Sequence, residues 1–183
     1  MTPNRLGLII GATFGLVYVV VNAAALPSPV GPLLRVVGVV AFVGVLLALA
    51  RAGQARPGDG AAGPGAAGPG FGRGYWLVVT VEVVAVAAGN VLLNGPLDLP
   101  QGVLPWISFV VGVHFLGLAK VWDEPSLAWL GGGIAVLGAL GLGLASAGAS
   151  EAAVASIAGI GPGALLLSGS IWGAARDRRR SRA

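Results

Sequence analysis

The chain has 183 residues, 56% of them hydrophobic and only 10% charged, with one histidine, no cysteine and a formal charge of +4. Soluble domains carry roughly a quarter charged residues, so water is not the main solvent of this chain. The absence of cysteine excludes disulfides, thiolate metal sites and cysteine nucleophiles, and the basic residues sit at the ends of apolar runs rather than in one patch, which argues against nucleic acid as a partner.

A bilayer core of ~30 Å needs about 20 helical residues per crossing, because lipid offers backbone groups no hydrogen-bond partner. The first apolar stretch, residues 6–26, follows Arg5 and repeats glycine every four residues at Gly7, Gly11 and Gly15. Glycines at that spacing form one helix face without Cβ atoms, where a second helix can approach closely. Asn22-Ala23-Ala24-Ala25 at its end also has the small residues of a signal-peptide cleavage site. Cleavage there would leave five spans, but the long apolar run favours a retained span. Pro27-Ser28-Pro29 forms a hairpin, and residues 30–50 make a second span with Arg35 embedded near its start.

Residues 51–74 are the one sizeable loop, with a tandem Ala-Ala-Gly-Pro-Gly repeat at 61–65 and 66–70. Glycine loosens the backbone, proline blocks helix and sheet, and no large apolar side chain is present in the repeat to build a core, so a disordered Gly/Pro/Ala-rich cytoplasmic tether is expected. A phosphate-cradling loop would need a preceding strand and a Lys with Ser or Thr at set spacing, none of which occurs.

The third span, residues 75–94, holds Glu82 and Asn90, and the turn Gly95-Pro96-Leu97-Asp98-Leu99-Pro100 leads to a fourth, residues 103–122, which holds His114. Lys120, Asp123 and Glu124 mark a solvated turn before the fifth span, residues 127–147, which is rich in glycine. The sixth, residues 152–175, carries Gly159 and Gly163, then Gly169 and Gly173, with Pro162 expected to kink or break it. Its glycines pack within the bundle or form a self-association face in a homo-oligomer. A basic tail, residues 176–183, closes the chain and suits anionic lipid or a protein partner.

The alternation of spans puts Arg5, Arg51, Arg56, Arg73, Lys120, Arg176, Arg178, Arg179, Arg180 and Arg182 on one side, leaving Arg35 alone of the 11 basic residues. Basic residues near span ends resist translocation, so both termini are expected in the cytoplasm of a cell-membrane protein. Trp76, Trp106, Trp122, Trp129 and Trp172 fall near span ends, where amphipathic rings favour the headgroup layer.

Ionisable groups inside a membrane are costly and mark candidate sites. Counting about 1.5 Å per residue, Glu82 and His114 differ in depth by ~5 Å on adjacent antiparallel spans, close enough for a carboxyl–imidazole contact. That pair reads either as a lock between helices or as a proton-exchanging site. Arg35, Asn22 and Asn90 reach similar depths of ~6–8 Å below the outer surface. They form a polar cluster able to attract an anion, or Arg35 snorkels alone to the headgroups.

Catalytic constellations are thin. One histidine cannot ligate haem from two helices, no His-Glu-x-x-His occurs, and no serine lies in Gly-x-Ser-x-Gly. Ser108 and Ser168 serve interhelical hydrogen bonds better than a serine hydrolase paired with His114. No catalytic residue, metal or cofactor is expected. The string Gly112-Val113-His114-Phe115-Leu116-Gly117-Leu118-Ala119 resembles a Gly-x-His-Phe-x-x-Leu-Ala element of small multi-pass bacterial integral membrane protein families of actinobacterial type, in which the position of Gly117 is often proline. The resemblance covers one span and implies a small polytopic membrane protein, with no established activity.

The expected fold is therefore all-α, a polytopic bundle of six transmembrane helices. The expected role is that of a non-enzymatic structural or accessory membrane protein. The alternative is a small proton-coupled transporter or permease with Glu82 and His114 as its proton site and Arg35 attracting an anion.

Overall fold

The structure, a computed structural model, describes residues 3–54 and 72–180. All regular elements among them are helical: α1 (Pro3–Asn22), α2 (Val30–Gln54), α3 (Arg73–Asn94), α4 (Val103–Trp122), α5 (Pro125–Ser146), α6 (Glu151–Ala155) and α7 (Gly161–Arg180), with a π-helical turn (Ser156–Ile160) joining α6 to α7. Six stretches are long and apolar enough to cross a membrane, the sixth being the composite Glu151–Arg176. The chain is thus a multi-pass, all-helical protein by the length and composition of its helices.

Most of the expected disordered loop, residues 55–71, and the last three residues of the basic tail lie outside the described residues. At the margins of that loop the expectation is corrected: α2 continues to Gln54 and α3 begins at Arg73. The tail likewise stays helical as far as Arg180. Arg, Ala and Gln are good helix formers, so the hydrogen-bonded ladder outlasts the apolar run.

Local chemistry fixes the short connections. Asp123 takes the left-handed conformation that ends α4 (φ 51°), and the Glu124 carboxylate accepts from Ser126 N at 3.4 Å and from Ser126 Oγ at 2.7 Å, with Pro125 opening α5 between them. Ser150 Oγ accepts from Ala153 N at 3.3 Å and caps the sixth span.

The bundle is apolar outside and small inside. Leu33, Val40, Leu77, Val84 and Val91 are exposed, while Ala12, Ala158, Ile134 and Ser108 are fully buried. Such broad apolar surfaces suit helices long and apolar enough to cross a membrane. Two groups of three spans emerge. One packs α1, α2 and α7 around Ala12, Val19, Val45, Leu49, Leu167 and Ala174. The other packs α4 between α3 and α5, and the π turn with α5 and α7 joins the groups.

Glycine sets the register inside both groups. Along α1 and α7, Gly173 receives Leu8, Gly11 faces Ser170, Gly15 meets Leu167, Gly163 meets Val19, and Gly159 receives Asn22. Each step up one helix is matched by a step down the other, the signature of antiparallel neighbours. The same holds between α4 and α5, where Gly138 meets Phe109 and Gly131 meets Phe115. With α5 and α7 also antiparallel, through Gly133 against Leu165 and Gly161 against Leu137, the basic residues Arg5, Arg51, Arg73, Lys120 and Arg176 come to one end of the bundle. Asp98 and Glu151 come to the other.

Candidate polar site within the bundle

α3 has its main contact with α4, and their seam is a ladder of large residues set into glycines. From the basic end upward, Val121 sits on Gly74, Val78 on Gly117, the Trp106 indole on Gly89, and Leu93 on Gly102. The rung that breaks the pattern lies between Val78 and Gly89, and there Glu82 faces His114. His114 Nδ1 stands 2.9 Å from Glu82 Oε2, and the two side chains are 13% and 24% exposed. The approach is as short as a hydrogen bond, yet the ring N–H does not point at the oxygen, so Nδ1 lacks an aligned acceptor. The contact is therefore electrostatic closeness held by the helices rather than by its own geometry. The Phe115 ring meets the imidazole edge-on at 5.7 Å.

One step toward the other end, Trp106 Nε1 donates to Ala85 O at 2.9 Å. This indole was expected to anchor in the headgroup layer. It is instead half-buried in the seam, because Gly89 offers a hollow of indole size. At the basic end Tyr75 stacks on Trp122 with ring centroids 6.0 Å apart, and there the interfacial reading suits Trp76, which is exposed.

A second polar centre lies where the two helix groups meet. Pro162 has no N–H, so the carbonyl four residues earlier, Ala158 O, loses its α-helical donor. Ser108 Oγ of α4 supplies one, at 2.5 Å, in a fully buried site. Tyr18 Oη of α1 lies 3.4 Å from the same hydroxyl. With its single proton committed to Ala158 O, Ser108 can only accept from the phenol. Ser108 is thus a joint between spans and not an activated nucleophile. Pro162 pointed to a carbonyl short of its α-helical donor, and Ser108 was among the serines expected to bond between helices, but residue spacing did not join the two.

Of the two readings of Arg35, the cluster with Asn22 and Asn90 does not form. Arg35 is exposed, and its Nε donates to Val20 O of α1 at 3.1 Å. The 3-10 turn Ala23–Ala25 displaces the N–H that would otherwise bond Val20 O, so a backbone acceptor is open where a side-chain amide was expected. Asn22 Nδ2 turns back to Tyr18 O at 2.8 Å, and Asn90 Oδ1 accepts from Asn94 Nδ2 at 2.9 Å. Neither amide bonds Arg35. Of the glycines expected to pack, Gly11, Gly15, Gly159 and Gly163 lie in the seam between α1 and the sixth span, Gly159 in its π turn, whereas a Cβ on Gly7 would meet nothing within 4 Å. Gly7 is exposed because Leu8, the next residue, is the one that enters Gly173.

Among the described residues no three His, Asp or Glu side chains gather as a metal site. Chemically, the Glu82–His114 rung can hold or share one proton, and the Ser108 joint can hold two helices. No protein-family model matches the chain, and no curated protein or solved structure is significantly similar to it.

Proposed function

We propose that this is a non-enzymatic structural or accessory protein of the cell membrane, with both termini in the cytoplasm, in which Glu82 and His114 lock α3 to the rest of the bundle. The observation that carries the reading is the position of the pair. It is one rung of a seam that is otherwise apolar, on the helix with the least other packing, and Arg35 is bound elsewhere. Groups that handle a transported solute converge on a polar cavity. Here Arg35 bonds a backbone carbonyl of α1 and does not join the Glu82–His114 pair between α3 and α4. The bundle's basic end supports the orientation, since basic residues flanking spans stay inside.

The test is a double-mutant cycle read by thermal unfolding in detergent. Glu82→Gln and His114→Asn should each destabilise by about 1–3 kcal/mol, and the double variant by clearly less than the sum of the two. Additive losses would overturn the lock.

A second reading, a proton-coupled transporter or permease using Glu82 and His114, draws support from the unaligned Nδ1 and from the π turn, a feature common at functional sites. Proteoliposome uptake under an imposed pH gradient separates the two readings. Flux lost in the Glu82→Gln variant while its fold persists would replace the lock by transport.

A further inference from the structure

On the outer flank of the bundle, Trp129, Gly132, Val136 and Leu137 of α5 and Leu165 of α7 line an open, shallow apolar groove of about 780 Å³. No Cβ on Gly132 would meet anything within 4 Å, so the floor is open, and Trp129 is 86% exposed. The groove runs toward the basic end, since Leu165 lies opposite Gly133 and Gly169 opposite Leu130. On a helix of 3.6 residues per turn, Trp172 and Arg176 stand on the same stripe as Leu165, two and three turns nearer that end. There the Arg176 guanidinium lies 3.4 Å over the Trp172 ring, which fixes the charge on the stripe that continues from Leu165 toward the basic end. Glu124 at the same end is bound to Ser126.

An apolar groove beside Trp129 and, along the same stripe toward the basic end, a guanidinium held over the Trp172 ring match two parts of one molecule, acyl chain and phosphate. From this we infer that the α5/α7 groove is a specific site for an anionic glycerophospholipid, with one acyl chain against Gly132 and the headgroup phosphate on Arg176. The charge of Arg176 selects an anionic headgroup over a zwitterionic one, because the guanidinium then faces net negative charge. The slot itself accepts a chain from either. The site goes beyond the lock reading and stands if that reading fails, since it uses none of the residues of the α3/α4 seam.

The test is thermal unfolding of the detergent-solubilised full chain, followed by tryptophan fluorescence, with phosphatidylglycerol, chain-matched phosphatidylcholine or inorganic phosphate added. Phosphatidylglycerol should raise the midpoint by about 3 °C or more, phosphatidylcholine by less, and phosphate not at all. Arg176→Gln should erase the difference between the two lipids. Gly132→Leu, which fills the open floor, and Trp129→Ala as an independent groove variant should reduce the response to both. A variant neutralised at Arg178, Arg179, Arg180 and Arg182 should keep the preference. Equal shifts with the two lipids in the unaltered chain would overturn the site. So would a full response in both groove variants, or a preference that follows the four tail arginines and survives Arg176→Gln.

Discussion

Ser108 donates to Ala158 O, the carbonyl that Pro162 deprives of its α-helical donor. A proline inside a membrane helix frees a polar group that lipid cannot satisfy, and here the fourth span answers from 50 residues away in sequence. The same region holds the π turn Ser156–Ile160, the contact of Asn22 with Gly159 and the approach of Ala158 to Gly141. Four spans therefore meet at one break in the sixth. The break is a junction between the two groups of helices, and a hydroxyl closes it.

Ser108→Ala is accordingly expected to destabilise the bundle by about 1–3 kcal/mol, the cost of leaving a buried carbonyl unpaired. Pro162→Ala restores an N–H at the position that bonds Ala158 O in an ordinary helix, so the double variant should recover part of the loss. The check is the unfolding midpoint of the two single variants and the double. If Ser108→Ala unfolds like the unaltered chain, the carbonyl has another donor and the junction does not depend on the hydroxyl.

The α3/α4 seam gives a graded prediction. A Cβ on Gly89 would fall inside the Trp106 indole, which is itself held by Ala85 O, so Gly89→Ala forces the ring out of the seam. A cost of about 1–3 kcal/mol follows from overpacking, with the lost hydrogen bond added to it. On Gly44 of α2 a Cβ meets nothing within 4 Å. Gly44→Ala should be neutral or stabilising by up to about 1 kcal/mol, because alanine restricts the unfolded chain and suits a helix. Trp fluorescence should shift in the Gly89 variant and stay unchanged in the Gly44 variant.

Within the Gly7, Gly11, Gly15 row the same logic divides residues of identical spacing. A Cβ on Gly15 would stand 2.9 Å from both Gly163 O and Leu167 Cγ, and a backbone oxygen cannot move aside. Gly15→Ala should destabilise by more than about 1 kcal/mol, and Gly7→Ala should leave the unfolding midpoint unchanged. Equal effects at the two positions would mean that α1 and α7 are packed in another register.

These contrasts mark what was legible in the chain. Six apolar stretches were readable because a lipid-crossing helix must be long and uncharged, and the meeting of Glu82 with His114 was readable because depth along antiparallel helices is simple arithmetic. Spacing could show that Gly7, Gly11 and Gly15 share a face, but not where the neighbour ends. Depth likewise placed Arg35 beside Asn22 and Asn90, yet its partner is a carbonyl opened by a 3-10 turn that no side chain announces. A backbone acceptor opened by an irregular turn is invisible to residue type, as at Arg35, whereas the acceptor of Ser108 was foreshadowed by Pro162 and only its partner was not.

Orientation is open to a direct chemical test, because the chain has no cysteine to confuse it. Leu97 lies exposed in the turn between α3 and α4, and Ser126 lies exposed at the start of α5, at opposite ends of the bundle. If the flanking arginines keep the basic end in the cytoplasm, a membrane-impermeant maleimide should label Leu97→Cys in intact cells. It should label Ser126→Cys only after the cells are permeabilised. Ser126 takes part in the cap of α5, so its loss costs at most about 1 kcal/mol and leaves the span in place. The reverse pattern would put both termini outside and overturn the reading drawn from the arginines. Labelling of both sites in intact cells would show that the bundle does not separate two compartments at all.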